Sequence, residues 1–450
     1  MSKDIRISKG LDIKLVGAAR PEISTAPFSK EFALAPKNFH GITPRLIKRE
    51  GDSVKAGEAV FHSKINEKIV FPSPVSGVVK EVRRGAKRVI LDILIEPSGS
   101  QESVLHEVQG IEQKSAEEIK DLLLKAGVWP FIKQRPYDVI ANPEDEPRDI
   151  FISGYNSGPL AAEVEVLLKD KKEFLQKGID VLSKLTSGKI HYTVNGKGNS
   201  DLADLANVET HKAYGPHPVG NVSTQIAKVN PINKGEKIWV VKPEDVAVIG
   251  ELAITGKVNF EKIVAVNGGQ VQNPHYVRTI YGSKISDVVS GFDFVSDNNR
   301  FIQGTPISGE KSSLDEYLGF YTNQVCVLEE GDDYAFFGWT LPQSNKFSVL
   351  RANMFSFLTP NKKYNLTTNT NGEERAFVLT GVYENVFPLD IYPMQLMKAC
   401  LYNDIDELEG LGIYEVAPED FALTEFVCVS KLPHQQIIRK GLDNMIREVG

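Results

Sequence analysis

Between residues 112 and 270 the sequence alternates strand and helix patterns, and this limits the possible folds more than any other feature. A buried-strand pattern at Asp149–Gly154 precedes a helical pattern over about 161–185 and a strand at Lys189–Val194. Such alternation favours parallel strands joined by crossover helices. The remaining elements predicted in this stretch are a short helix at Asp201–Ala206, strands at Val208–His211 and Lys237–Val241, a helix at about 244–256 and a strand at Lys262–Gly269. We predict a Rossmann-like parallel α/β domain at 111–270.

This domain begins with the helix that has the clearest boundary signals in the chain. Ser115 stands at the N-cap, Glu118 follows three residues later as in a capping box, and Gly127 stands at the C-cap. The pattern predicts a helix over 112–127.

The segment Pro36–Pro97 reads as short strands and tight turns, with glycines at four turn positions: Gly51, Gly57, Gly77 and Gly85. This predicts a small β-sandwich or barrel. Basic side chains outnumber acidic ones twelve to five over 37–88, and acidic outnumber basic fourteen to six over 370–450. Such polarity either orients partners or reflects two solvated surfaces.

The rest of the chain gives two further modules. Residues after 270 predict a compact unit of β-hairpins and one helix, and the last part predicts helices near Tyr392–Cys400, Asp404–Gly410 and His434–Val449. We therefore predict a multidomain α/β protein with a β-rich module preceded by an N-terminal extension, an α/β domain, a small mixed module and an α-rich domain, at 1–110, 111–270, 271–330 and 331–450.

Composition and missing motifs exclude several functions. With 52 basic and 59 acidic residues the net charge is −7, which argues against nucleic acid as a partner. The three cysteines, Cys326, Cys400 and Cys428, are too far apart for an iron–sulfur cluster and favour a reducing compartment, the cytoplasm by default. His211 and His217 lack further ligands at metal-site spacing, so we predict no metal. No nucleotide-binding or hydrolase motif is present, and we predict no catalytic residue.

One aromatic loop remains as a candidate ligand site. Between Gly127 and Val139, three aromatic residues alternate with basic ones, and the candidate residues are Trp129, Phe131, Arg135 and Tyr137. Aromatic walls with a few donors suit a planar, mostly apolar ligand with carbonyl acceptors, such as a quinone. The alternative is a crossover loop packed into the core.

Several longer strings resemble a known family. They are RLIKREGDSVKAGEAVFHS, VSGVVKEVRRGAKRVI, YGPHPVGNVSTQI, FGWTLPQSNKFSVLR, TTNTNGEERAFVLTGVYENVFPLDIYP and PEDFALTEFVCVSK. Together they resemble the A-subunit family (NqrA) of the bacterial Na⁺-translocating NADH:quinone reductase, nearly end to end. The resemblance implies a peripheral subunit on the cytoplasmic face of the bacterial inner membrane, within a six-subunit respiratory complex that oxidises NADH, reduces ubiquinone and exports sodium.

The resemblance extends to more distant relatives, the RnfC component of the Rnf complex and the flavin-bearing component of complex I. It implies a biotinyl- or lipoyl-like N-terminal module and a β-grasp, SLBB-like module near residue 275. Those relatives carry a glycine-rich flavin loop where this chain has Trp129-Pro130-Phe131. Proline lacks the amide donor that a phosphate cradle uses. The resemblance thus implies a protein without its own flavin, NADH or iron–sulfur site, these cofactors lying in the membrane-embedded and other subunits.

Three functions follow from these patterns. The first is an accessory subunit that supports assembly. The second adds quinone binding by the aromatic loop at 129–137. The third is a free-standing soluble oxidoreductase, which the end-to-end resemblance disfavours.

Overall fold

The computed structural model describes residues 3–198, 200–332, 336–338, 340, 346–349, 353–378 and 381–450. Its first two strands, β1 (Asp4–Arg6) and β2 (Arg20–Thr25), belong to sheets built mainly from later parts of the chain. β1 pairs in parallel with a strand at Glu209–Tyr214, and β2 in parallel with one at His275–Ile280. The N-terminal extension thus ties two later modules together.

The predicted β-rich module is present and forms two small sheets. Its strands are β3 (Phe32–Leu34), β4 (Pro44–Leu46), β5 (Ser53–Val54), β6 (Ala59–Ser63), β7 (Val70–Pro72), β8 (Gly77–Arg84) and β9 (Ile90–Pro97). One sheet has the order β3-β9-β8-β5 and the other β4-β6-β7. Phe61 and Phe71 stack in its core with ring centroids 4.4 Å apart.

The predicted α/β domain is also present. Its elements are α1 (Ala116–Lys125), β10 (Lys133–Arg135), β11 (Val139–Ile140), β12 (Asp149–Ser153), α2 (Val164–Leu167), α3 (Lys172–Leu182), β13 (Ile190–Asn195), β14 (Glu209–Tyr214), α4 (Val222–Val229), β15 (Ile238–Val240) and α5 (Pro243–Thr255). The sheet order is β1-β14-β13-β12-β15-β10-β11. The first five strands are mutually parallel, β10 pairs antiparallel with β15, and β11 pairs antiparallel with β10.

Several details of the predicted domain are wrong, and its strands β10 and β11 were not predicted. The helix expected over 161–185 is broken into α2 and α3 by a turn at Asp170, whose φ is 60°. Residues 201–206 form turns, and α4 was not predicted. The strand expected at Lys262–Gly269 lies in another sheet, because it pairs with later strands and with none of this domain. The change of sheet therefore falls before residue 261 and not at 270.

The small mixed module forms a six-stranded sheet. It contains β16 (Glu261–Asn267), β17 (His275–Ile280), α6 (Ile285–Val288), β18 (Asn299–Gln303), β19 (Glu310–Ser312) and β20 (Gln324–Glu329). The order is β19-β18-β20-β16-β17-β2.

The C-terminal part is helical, as predicted. Its helices are α7 (Val382–Val386), α8 (Pro393–Tyr402), α9 (Ile405–Gly410), α10 (Ala422–Phe426) and α11 (His434–Glu448). They enclose an apolar core of their own that includes Leu396, Phe421 and Leu442. Within the described ranges, no helix is both long and apolar enough to cross a bilayer.

Helices α3 and α5 cross at two glycines. A Cβ atom on Gly178 would lie 2.0 Å from the Val246 carbonyl oxygen, and one on Gly250 would lie 1.8 Å from the Phe174 carbonyl oxygen. Only glycine permits backbones to approach so closely. This contact fixes the helical layer behind the central sheet.

Candidate functional site

The aromatic loop starts directly after the capped helix α1. Ser115 and Glu118 form the predicted capping box, and the chain leaves the helix through Gly127, whose φ is 70°. A Cβ atom on Gly127 would lie 2.5 Å from Cδ of Pro72 in β7. The loop is thereby held against the β-rich module.

Trp129 and Phe131 point into the protein interior. Trp129 is 0% exposed; its indole N–H donates to the Ala141 carbonyl at 2.7 Å and its ring meets Trp239 edge-on at 5.3 Å. Phe131 is 3% exposed and stacks on Phe320 with centroids 4.9 Å apart. Both side chains are core residues of the folded chain.

This packing decides whether a phosphate fits the loop. The turn at Trp129–Phe131 is a short 3₁₀ helix with all three residues buried. A phosphate cradle needs converging, unfilled backbone amides, and here side chains fill the space while Pro130 has no amide hydrogen. The residues Trp129–Phe131 therefore do not fit a flavin or dinucleotide phosphate.

Arg135 and Tyr137 lie at a different place, against the helical part of the chain at 381–450. Arg135 is 4% exposed, with its Nη2 atom 3.8 Å from Asp138 Oδ1 and 3.6 Å from Glu419 Oε1. Tyr137 packs edge-on against Tyr414 at 6.1 Å, and burial raises its pKa to about 12. The structure thus splits the four predicted quinone contacts into a core pair and an interface pair, and they do not line one slot.

A cavity of about 130 Å³ lies beside this interface, where four modules meet. Its lining residues are Asn38, His40, Lys133, Asp138, Val139, Ile140, Tyr321, Pro418 and Arg439. Ligand pockets for drug-sized molecules are larger, about 300–1,000 Å³. The cavity has room only for a small group or ordered water.

The charges around this cavity are closely coupled. Lys133 Nζ lies 3.6 Å from Asp138 Oδ1 and 4.8 Å from the Tyr321 ring centre. Burial alone would raise the pKa of Asp138, but Lys133, Arg135 and Arg439 together hold it below its usual value. The carboxylate therefore stays ionised and fixes these cations in place.

Some guanidinium groups here have unused donors. Among the described residues, Arg135 Nε, Arg135 Nη1 and Arg439 Nη2 are buried without a hydrogen-bond partner. Buried N–H groups usually have partners, so a water or ligand oxygen is expected beside them. Arg439 Nε itself donates to Asp443 Oδ1 at 3.0 Å.

Sequence reasoning missed most of the cavity wall. His40, Tyr321 and Arg439 come from three other modules, and no local pattern connects them with Lys133. Only the alternation of aromatic and basic residues after Gly127 pointed toward this region.

A second buried cluster contains two histidines and two carboxylates. The Lys3 amide donates to His211 Nδ1 at 2.9 Å, which places the proton of this neutral ring on Nε2, 3.0 Å from His191 Nδ1. The His191 proton is then on Nε2, which faces Asp149 Oδ1 at 3.6 Å. Glu209 lies close enough for its carboxylate and the two imidazoles to have ligand atoms within 4.8 Å of one another. The lone pair of each imidazole accepts a hydrogen bond from another group of the protein. This arrangement is the alternative to both rings binding a shared metal ion.

The electrostatics of this cluster agree with a neutral His211 ring near an ionised Asp149 carboxylate. Burial and the neighbouring His191 lower the pKa of His211. Burial would raise the pKa of Asp149, but the nearby His191 imidazole, together with hydrogen bonds from the Lys189 amide and Asn230, lowers it to about 2. His217, the other histidine of the predicted segment, lies apart and accepts or donates one bond with the Ser157 hydroxyl at 3.0 Å.

All three cysteines are buried and separate. Cys326 and Cys428 are 0% exposed and Cys400 is 3% exposed. Burial raises the pKa of the Cys326 and Cys400 thiols to about 12, so both stay protonated. All three are small buried core residues, as predicted, and Cys428 Sγ lies 3.0 Å from the Tyr383 hydroxyl, within hydrogen-bond distance.

The modules together define a multidomain α/β protein with an N-terminal barrel-sandwich domain, a second α/β domain and a C-terminal SLBB-like domain. Three family profiles match in this order: an NqrA N-terminal barrel-sandwich hybrid domain over 5–98, an NqrA second alpha/beta domain over 114–258 and an NQRA C-terminal domain over 263–313.

The full-length relatives are named as the same NqrA subunit that the three family profiles describe. The chain is 36% identical over 447 residues to the Na(+)-translocating NADH-quinone reductase A-subunit of Neisseria meningitidis, covering 99% of this chain and 100% of the relative. It is 35% identical over 449 residues to the A-subunit of Haemophilus influenzae, with the same coverage. The chain belongs to the A-subunit (NqrA) family of the Na⁺-translocating NADH-quinone reductase.

Solved structures add little. A chain of an NAD⁺-reducing NiFe-hydrogenase in the H2-reduced state aligns with a TM-score of 0.37 at 13% identity, over 76% of this chain and 63% of that chain. That score is too low to support an argument about fold.

Proposed function

We propose that this chain is an accessory subunit of a Na⁺-translocating NADH-quinone reductase complex, docked at the cytoplasmic face of the bacterial inner membrane and without a redox centre of its own. Full-length identity to relatives named as the A-subunit of that enzyme supports the assignment to a complex. In this proposal NADH, flavins and iron–sulfur clusters belong to partner subunits.

The packing of the aromatic loop is the observation that carries the redox-silent role. Where the flavin-bearing relatives have a glycine-rich loop, Trp129 and Phe131 are core side chains and Pro130 offers no amide. The buried, isolated cysteines support the same proposal for iron–sulfur clusters, which need several convergent thiolates.

A pull-down tests the assembly role. The tagged full-length chain is expressed in its own bacterium and isolated from detergent-solubilised membranes. We expect the other subunits of the reductase to copurify with it. Recovery of the chain alone, with an NADH oxidation activity of its own, would instead favour the free-standing soluble oxidoreductase.

Quinone binding is the second candidate function. Its proposed site is the neighbouring cavity and not the aromatic loop itself. The Tyr321 ring, Lys133 and Arg439 line the cavity, and the Nη2 group of Arg439 is buried without a hydrogen-bond partner. A quinone carbonyl accepts hydrogen bonds from such donors. The small volume limits the ligand to part of the quinone ring.

Titration with a soluble short-chain quinone, followed by tryptophan fluorescence, tests this candidate. We expect saturable quenching that Lys133→Met weakens and Lys125→Met leaves unchanged, because Lys125 is exposed on α1 and does not line the cavity. Quenching that is unsaturable, or equal in both variants, would show that the cavity binds no quinone.

A further inference from the structure

The hairpin of β8 and β9 ends in a projecting basic segment, here called the basic tip (residues 83–91). Neighbouring strands flank only the base of this hairpin, since β5 pairs up to Val78 and β3 pairs as far as Ile93. Beyond these positions β8 and β9 continue as a two-stranded ribbon that ends at the pair Arg84 and Ile90. The basic tip is therefore held away from the body of its module.

Three cations of the basic tip have no acidic partner. Arg84, Lys87 and Arg88 are exposed, and within the described part of the chain none of them is in ion-pair contact with a carboxylate. By contrast, Lys80 nearer the base pairs with Glu31 at 3.1 Å. Arg84 Nη1 also donates to the Arg88 carbonyl at 3.2 Å. Exposed cations without a carboxylate partner can attract an external anion.

The backbone of the turn indicates that these cations have a use. Lys87 and Arg88 have φ values of 53° and 61°, in the left-handed region. Glycine, asparagine and aspartate adopt this conformation more easily than long side chains do. The turn holds two cations at strained positions where uncharged residues would fit better, so its charge is not explained by folding.

Apolar side chains accompany the charge. Val89 is 57% exposed and Leu91 is 42% exposed, and Leu91 lies over Gly85 at the end of the turn. Exposed aliphatic side chains next to lysine and arginine suit the boundary between lipid headgroups and acyl chains. An acidic protein surface would pair with the cations but gives these aliphatic side chains no apolar layer to enter.

We propose that the basic tip binds the headgroups of anionic phospholipids, with Arg84, Lys87 and Arg88 on the phosphates and Val89 in the headgroup layer. The choice of a membrane surface rests on the proposed function, because a component of a membrane enzyme works close to lipid. The contact adds a direct lipid interaction to whatever protein contacts hold the chain in its complex.

Vesicle binding tests the proposal with the purified full-length chain. We expect cosedimentation with phosphatidylcholine vesicles only when they contain phosphatidylglycerol, and release at high salt because screening weakens the attraction. Each cation near an anionic surface contributes about 1 kcal/mol, so the double variant Lys87→Asn with Arg88→Asn lowers binding about 30-fold, a factor of ten being 1.4 kcal/mol.

The variants separate charge from folding. Asparagine tolerates positive φ, so this double variant relieves strain and keeps the turn. The matched control changes two lysines of the β6–β7 hairpin, Lys64→Asn with Lys68→Asn, and carries the same net charge change. We expect the control to bind as the unmodified chain does.

Two results would overturn the proposal. One is equal binding of both double variants, which would make the attraction nonspecific. The other is that the chain does not bind anionic vesicles. If, in that case, the Lys87→Asn with Arg88→Asn variant also loses copurifying subunits in the pull-down, the basic tip contacts a protein partner instead. Failure of the pull-down alone would refute the proposed function and leave vesicle binding intact.

Discussion

Replacing Trp129 by alanine distinguishes a core side chain from a ligand contact. A buried tryptophan removes about 150–250 Å² from water, worth about 4–6 kcal/mol at 25 cal/mol per Å². Measured truncations of this type cost about 3–5 kcal/mol. The variant also leaves the buried Ala141 carbonyl, 2.7 Å from the indole nitrogen, without its donor. We expect Trp129→Ala to destabilise the α/β domain by about 5 kcal/mol.

Urea unfolding followed by far-ultraviolet circular dichroism measures this loss. Because domains have only about 5–15 kcal/mol of stability, Trp129→Phe serves as a milder partner variant. It keeps an aromatic ring, loses the hydrogen bond and should cost about 1–2 kcal/mol. Tyr402→Ala is the exposed control, since Tyr402 is 83% exposed, and it should change little. A Trp129→Ala loss within about 1 kcal/mol of that control would refute the assignment of Trp129 to the core.

Three further predictions follow from local geometry. Gly250→Ala should destabilise the crossing of α3 and α5 by several kcal/mol, because its Cβ would lie 1.8 Å from a carbonyl oxygen. The control Gly410→Ala has open space around it and should change the stability little. Thermal unfolding compares the two variants. Burial lowers the pKa of His434 to about 4. The unfolded chain binds that proton near pH 6.5, so stability should fall as the pH drops from about 6.5 to 4, and His434→Gln should flatten this slope in urea titrations; an unchanged slope would contradict it. Ser115→Ala should cost about 1 kcal/mol by removing the N-cap acceptor of Glu118 N–H, and Ser115→Asp should restore most of it.

Local signals predicted most elements of the fold. The capping box of α1 lies where the sequence placed it, and α5 ends at Thr255, next to the predicted end of that helix at about 256. The prediction of a helix at 201–206 was wrong. Leu202 and Leu205 have the spacing of a helix and are buried, but the backbone there forms turns. Hydrophobic periodicity indicates which residues are buried, but it does not determine the backbone conformation in which they are buried.

Other features depended on contacts far apart in the chain. The strand at Glu261–Asn267 has an ordinary strand pattern, and only its pairing with β17 and β20 shows that it belongs to the C-terminal SLBB-like sheet. The cavity near Lys133 needs side chains from four modules, so no window of sequence contains it. The alternation of aromatic and basic residues in the loop does not decide between a ligand slot and a packed core, because the same residue types serve both equally well.

The visible absorption spectrum of the purified full-length chain, combined with its iron and flavin content, tests the redox-silent role most directly. The filled loop at Trp129–Phe131 and the isolated cysteines predict a colourless protein with neither flavin nor iron in stoichiometric amount. One flavin per chain, or an iron–sulfur absorption band, would contradict the account.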